Sequence, residues 1–102
     1  PILTVSDGRI TALEKVRTSA RALARMVELA GAVADEACVA GRAVDVAVQH
    51  LDLVERAEEV RSALAQRIPT ASEIMVGELG AVVGAHVGPG TLAICVAPRS
   101  DR

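Results

Sequence analysis

The sequence predicts a two-layer α/β domain in which a mixed β-sheet of about five or six strands carries its helices mainly on one face. Three observations predict it. Apolar runs rich in β-formers alternate with segments of helical periodicity through the back two thirds of the chain, the opening residues read as a hairpin, and the two long helices are few enough to share one side. Strand–helix–strand order favours parallel neighbours joined by right-handed crossovers, and the hairpin adds antiparallel pairs.

Taken in order, Ile2, Leu3 and Val5 run into Ser6-Asp7-Gly8, a tight-turn signal, and Arg9 to Leu13 return as the second arm. Thr18 and Ser19 are suited to N-cap a helix in which Ala20, Leu23, Val27 and Ala30 recur at helical spacing, with Arg21, Arg25 and Glu28 opposite. Gly31 either ends that helix or sits inside a longer one reaching Gly41. Val44, Val46 and Val48, ending near Leu51, read as a buried strand, after which Asp52 is placed to cap the second helix. There Val54, Ala57, Val60, Leu64 and Ile68 make one face, Glu55, Glu58, Glu59 and Arg61 the other, and Pro69 the stop. Ile74 to Gly77 is a short strand, and Leu92 to Ala97 a last strand, apolar on both faces.

A chain of 102 residues, 51% hydrophobic and 24% charged, suits one domain. With no Phe, Trp or Tyr, its core must be built from Val, Leu, Ile and Ala. The 11 Lys and Arg are outnumbered by 13 Asp and Glu, so neither a basic field nor an aromatic platform awaits nucleic acid. Apolar stretches such as Thr91 to Pro98 fall well short of the ~20 residues of a membrane span, and no secretory leader pattern is present, so a cytoplasmic protein is expected.

Cofactor chemistry finds no foothold. Two His and two Cys, none at ligand spacing, argue against a metal, and both the G-x-x-x-x-G-K-[ST] and G-x-G-x-x-G patterns of nucleotide binding are missing. Cys38 and Cys95 read as small buried hydrophobes; Cys95, mid-strand, would have a raised pKa and be inert as a nucleophile. His50, at a strand exit, reads as a locally satisfied histidine rather than a ligand.

The unusual segment is Gly80 to Gly90, G-A-V-V-G-A-H-V-G-P-G, in which four glycines and a proline surround His86. Glycine permits positive φ or removes a clashing Cβ, so the segment can present His86 and nearby N–H groups to an anion. The plainer reading is a tight turn between two strands, with His86 bonded locally. A separate possibility is enzymatic: a free Pro1 amine acting as general base, with Arg9 holding a substrate carboxylate, as in small tautomerases.

Three ordered motifs carry a resemblance. Pro1-Ile2-Leu3-Thr4-Val5-Ser6-Asp7-Gly8-Arg9-Ile10, then Glu14-Lys15-Val16-Arg17-Thr18, then Gly84-Ala85-His86-Val87-Gly88-Pro89-Gly90-Thr91 resemble the C-terminal half of the DegV family of bacterial fatty-acid-binding proteins. The closing motif matches that family's G-x-H-x-G-P-G, with Ala85 where Thr is frequent and Leu92 where Gly or Ala is more usual. The resemblance implies that residues 1–102 are the second domain of a two-domain protein whose N-terminal domain is missing here. It implies a long-chain fatty acid enclosed between the domains, its carboxylate near the junction, and no chemistry by the binding protein itself. His86 would approach the carboxylate with Gly88 and Gly90 shaping its turn, Arg17 of K-V-R would stand at the mouth, and a fatty acid kinase would be the partner. For Arg17 the plainer reading is a solvated cation beside the first helix.

Overall fold

The computed structural model describes residues 12–14, 20–71, 73–79 and 90–99. Within them the order is β1 (Ala12–Glu14), α1 (Ala20–Val39), β2 (Val44–His50), α2 (Val54–Arg67), β3 (Ile74–Glu78) and β4 (Leu92–Pro98). The four strands form one sheet in the order β1-β4-β2-β3. Strands β2 and β3, joined through α2, are parallel, whereas β4 runs antiparallel to both β2 and β1. The α/β class and the mixed sheet are as expected, but four strands stand among the described residues where five or six were anticipated. Ile2 to Val5 and the Ser6-Asp7-Gly8 turn of the expected hairpin lie outside them, and β1 overlaps the expected second arm at Ala12 and Leu13. Geometry favours the smaller sheet: a helix about 10 Å wide covers roughly two strands spaced ~4.8 Å apart, so two helices roof four.

Both helices lie on one face, packed against each other, with α1 over β4 and β1 and α2 over β2 and β3. The roofed face presents Val44, Val46, Val48 and His50 of β2 and Leu92, Ile94 and Val96 of β4, all buried. Against them sit Leu23, Met26, Val27, Ala30, Ala34 and Ala37 from α1, and Ala57, Val60 and Leu64 from α2. With no rings, the largest fully buried side chains are Met26, Leu64, Leu92 and Ile94, each worth about 1.5–3 kcal/mol of burial. The small residues of α1 bring its backbone close to the sheet, so the interior closes without aromatic volume.

Helix α1 passes straight through Gly31. It ends in a Schellman motif: Gly41 has φ 77°, its N–H donates to Cys38 O (2.9 Å), and the Arg42 N–H donates to Ala37 O (2.8 Å). Cys38 and Val39, in this last turn, are exposed, so Cys38 is not the buried hydrophobe its surroundings in sequence suggested. The buried stripe closes at Ala37, and one more residue rotates the side chain out. Gly31 makes room for a neighbour. Arg67, in the last turn of α2, lies across it and forks onto Asp35 (2.9 and 3.4 Å) while its Nε reaches Glu28 Oε1 (3.1 Å). That hydrogen-bonded guanidinium holds the Asp35 carboxyl below the ordinary aspartate value, and the two carboxylates raise Arg67 further.

Asp52 does not cap α2. It takes φ 58°, a left-handed conformation that Asp tolerates better than most residues, and Leu53 occupies the cap position without a side-chain bond from its own residue. Val54, expected on the buried face, is 55% exposed because the helix is only beginning there. From Ala57 onward the buried and charged faces follow the sequence reading, and Ile68 closes the helix with its N–H on Leu64 O (2.8 Å) just before Pro69.

Candidate functional site

The register aligns one residue from every strand into a single row: Glu14 of β1 opposite Leu92 of β4, Leu92 opposite His50 of β2, and His50 opposite Glu78 of β3. This row is one end of the sheet. The chain leaves β1, β2 and β3 there and enters β4 there.

The dipeptide His50-Leu51 ties these connections together. His50 O accepts from the Leu79 N–H (2.8 Å), Leu51 O accepts from the Gly90 N–H (2.6 Å), and the Leu51 N–H donates to Thr91 O (3.0 Å). The His50 side chain, 4% exposed, accepts the Leu53 N–H on Nδ1 (3.1 Å), which leaves the ring proton on Nε2. Both flanks of the glycine-rich segment, Leu79 and Gly90, are thus bonded to one turn of backbone. Gly90 is buried with φ 83°, so its glycine is required by conformation.

Beside the turn lies a hollow of ≈ 520 Å³ bordered by His50, Asp52, Glu55, Arg56, Glu59 and Glu78. Among the described residues four carboxylates, Asp52, Glu55, Glu59 and Glu78, border it with one guanidinium, and Arg56 is already paired with Glu59 (3.2 Å). Its described lining is therefore net acidic.

Among the described residues no helix covers the other face of the sheet. Ala47, Gln49 and Cys95 are half-buried on it, Ala97 and Gly77 are exposed, and Met75 is 60% exposed, with Asp45 and Arg99 paired at its rim (2.8 Å). A shallow hollow of ≈ 300 Å³ runs between Ala47, Met75, Cys95 and Ala97. The alternation of β2 makes it a half-covered strand here, where the sequence read as buried. Burial pushes the Cys95 thiol up, in keeping with an inert role, and its Sγ lies 3.8 Å from Gln49 Oε1.

Of the residues singled out in the sequence, Gly90 stands at this edge. His86, Gly88 and Arg17 lie outside the described residues, as do Pro1 and Arg9, on which the tautomerase alternative rests. His50, set aside as a satisfied histidine, is satisfied, and it is also the residue around which the edge is bonded. No local signal announces this, because Leu79, whose N–H its carbonyl accepts, comes from beyond the next strand. Among the described residues no group of three or more His, Cys, Asp or Glu is placed to hold a metal, and no helix is long and apolar enough to cross a membrane.

Fold and edge together define a two-layer α/β domain whose glycine-rich connection is fastened to one end of a mixed sheet. The family model described as "Uncharacterised protein, DegV family" matches residues 1–99, and the chain belongs to the DegV family. A DegV domain-containing protein of Streptomyces coelicolor is 46% identical over 99 residues, which are 97% of this chain and 34% of that protein. A Mycobacterium bovis relative is 36% identical over 94% of this chain and 32% of its own length, so the chain spans about a third of these relatives. Among solved structures, the fatty acid binding DegV family protein from Streptococcus agalactiae matches with a TM-score of 0.67 at 27% identity, over 87% of this chain and 29% of that one. DegV, a fatty acid binding protein from Bacillus subtilis, matches with a TM-score of 0.66 at 31% identity, over 84% of this chain and 29% of that one.

Proposed function

We propose that residues 1–102 are the C-terminal domain of a two-domain protein that binds a long-chain fatty acid, does no chemistry on it, and presents its carboxylate to a fatty acid kinase in the cytoplasm. The observation that carries this reading is the match, over most of this chain, to two solved DegV structures described as fatty acid binding. The architecture is in keeping with it. On the sheet face that no described helix covers, Ala47, Ala97, Cys95 and one flexible Met, Met75, lie between Asp45, Glu73 and Arg99, an apolar strip without bulky rings against which an acyl chain can pack.

In this reading the carboxylate lies near the end row of the sheet. The segment bearing Arg17 leaves β1 three residues before it in sequence, and the segment bearing His86, Gly88 and Gly90 enters β4 there. His86 donates a direct or water-bridged hydrogen bond to the carboxylate, while Arg17 stands at the rim and meets the kinase or the phosphate in transfer.

Acid extraction and mass spectrometry of the intact two-domain protein test the reading: a long-chain fatty acid is expected. Recovery of none, from protein that also takes up none on incubation, overturns it. His86→Ala is expected to weaken retention, and Arg17→Ala to leave retention intact while slowing phosphorylation by the kinase. Parent-like behaviour of both variants refutes the assigned roles.

A further inference from the structure

His50 holds the end of the sheet together through its backbone and its ring at once, and the ring's contribution is separable. Its carbonyl takes the Leu79 N–H, the next residue takes the Gly90 N–H and donates to Thr91, and its Nδ1 takes the Leu53 N–H. Between the ring bond and the Leu51 bonds sits Asp52 at φ 58°, a conformation that persists in a non-glycine residue only where neighbours fix it. Removing the Nδ1 acceptor leaves a part-buried N–H unpaired and frees that turn to relax. Leu51 then loses its fixed position under Gly90, the only one of the four glycines of the 80–90 segment that is described here and one whose φ is already 83°.

A direct ligand role through the other ring nitrogen is disfavoured by charge. Among the described residues the hollow that His50 borders is lined by Asp52, Glu55, Glu59 and Glu78, and the one cation described there, Arg56, is paired with Glu59. A carboxylate entering it would meet four of its own kind. We infer that His50 is a positioning residue: through the Nδ1 bond to Leu53 it fixes the turn that anchors Leu79 and Gly90, and thereby holds Gly90 in place for binding of the fatty acid carboxylate. The last clause rests on the proposed function; the anchoring does not.

Two near-isosteric variants separate the ring nitrogens. His50→Asn places an acceptor oxygen where Nδ1 stands, and Asn makes this bond to the N–H three residues on as a matter of course. His50→Gln reaches the Nε2 position and has no acceptor at Nδ1. In this chain, amide hydrogen exchange is expected to quicken about tenfold at Leu53, Leu79 and Gly90 in His50→Gln and to stay near the parent rate in His50→Asn, the change one lost hydrogen bond produces. In the intact two-domain protein, titrated with parinaric acid as a fluorescent long-chain fatty acid, His50→Gln is expected to bind about tenfold more weakly and His50→Asn like the parent. Equal loss in both variants, or loss in His50→Asn with retention in His50→Gln, overturns the positioning role, the latter in favour of direct contact through Nε2. If the parent binds no parinaric acid, the proposed function falls, and the exchange rates still decide the anchoring: unchanged rates in His50→Gln refute it.

Discussion

Replacing Gly31 by Ala should change sign with the residue at position 67. In an isolated helix the exchange stabilises, because glycine loses more backbone entropy on folding; a mid-helix position is worth about 0.5–1 kcal/mol. At Gly31 the added Cβ would stand within 2.8 Å of Arg67 Cγ and closer still to its guanidinium. The end of a free arginine would swing aside. This one is fastened on both sides, to Glu28 and to Asp35, so yielding breaks three hydrogen bonds. Overpacking of this kind costs typically 1–3 kcal/mol, more than the helix gains, so Gly31→Ala alone is expected to destabilise by about 1 kcal/mol. With Arg67→Ala already present the obstacle is gone, and the same substitution is expected to stabilise by about 0.5–1 kcal/mol. Urea unfolding of the parent, both single variants and the double variant measures the four corners of the cycle. An effect of Gly31→Ala with the same sign in both backgrounds refutes the packing argument.

Three further expectations follow from the same coordinates. Asp35 is held below the ordinary aspartate value by the Arg67 bond, so its contribution is fully present above that ordinary value and is lost as pH falls through the lowered native one; stability measured from pH 6 to pH 2 should decline less steeply in Arg67→Ala, and an unchanged slope counts against the pair. Because Asp52 stands at φ 58°, Asp52→Gly should leave the unfolding midpoint unchanged or raise it, whereas Asp52→Val should cost about 1–2 kcal/mol, and equal effects would remove the case for a strained turn. Cys38 is exposed while Cys95 is half-buried with its thiol pushed up, so iodoacetamide at pH 8 should label Cys38 first, as read by peptide mass spectrometry; equal rates would contradict the placement of β4.

How much of this was legible beforehand depends on the range of the interaction involved. Helix α2 was readable from Ala57 onward, since Ala57, Val60, Leu64 and Ile68 repeat at the period of the helix and Pro69 forbids its continuation. The β2–α2–β3 crossover and the shared face of the two helices followed from element order, and the motif around His86 was distinctive enough to suggest a family from residues that the described structure does not include. What failed was local in appearance and tertiary in cause. Asp52 looked like a cap because caps are short polar residues before an apolar repeat, yet Leu53 stands at the cap with its N–H on His50 Nδ1, and Asp52 takes the turn between them. Cys38 looked buried beside Ala37, but the helix overruns its packing surface there.

Sequence alone determined the class of elements, their order and the composition of the core, because periodicity and backbone stereochemistry act over a few residues and leave their mark on every one. Only the tertiary structure decided the sheet order β1-β4-β2-β3, the passage of α1 through Gly31, and the single row that aligns Glu14, Leu92, His50 and Glu78. Those features are fixed by contacts between positions 28 to 82 residues apart, such as Arg67 across Gly31 and Leu79 on His50, and a contact at that range writes no period into the chain.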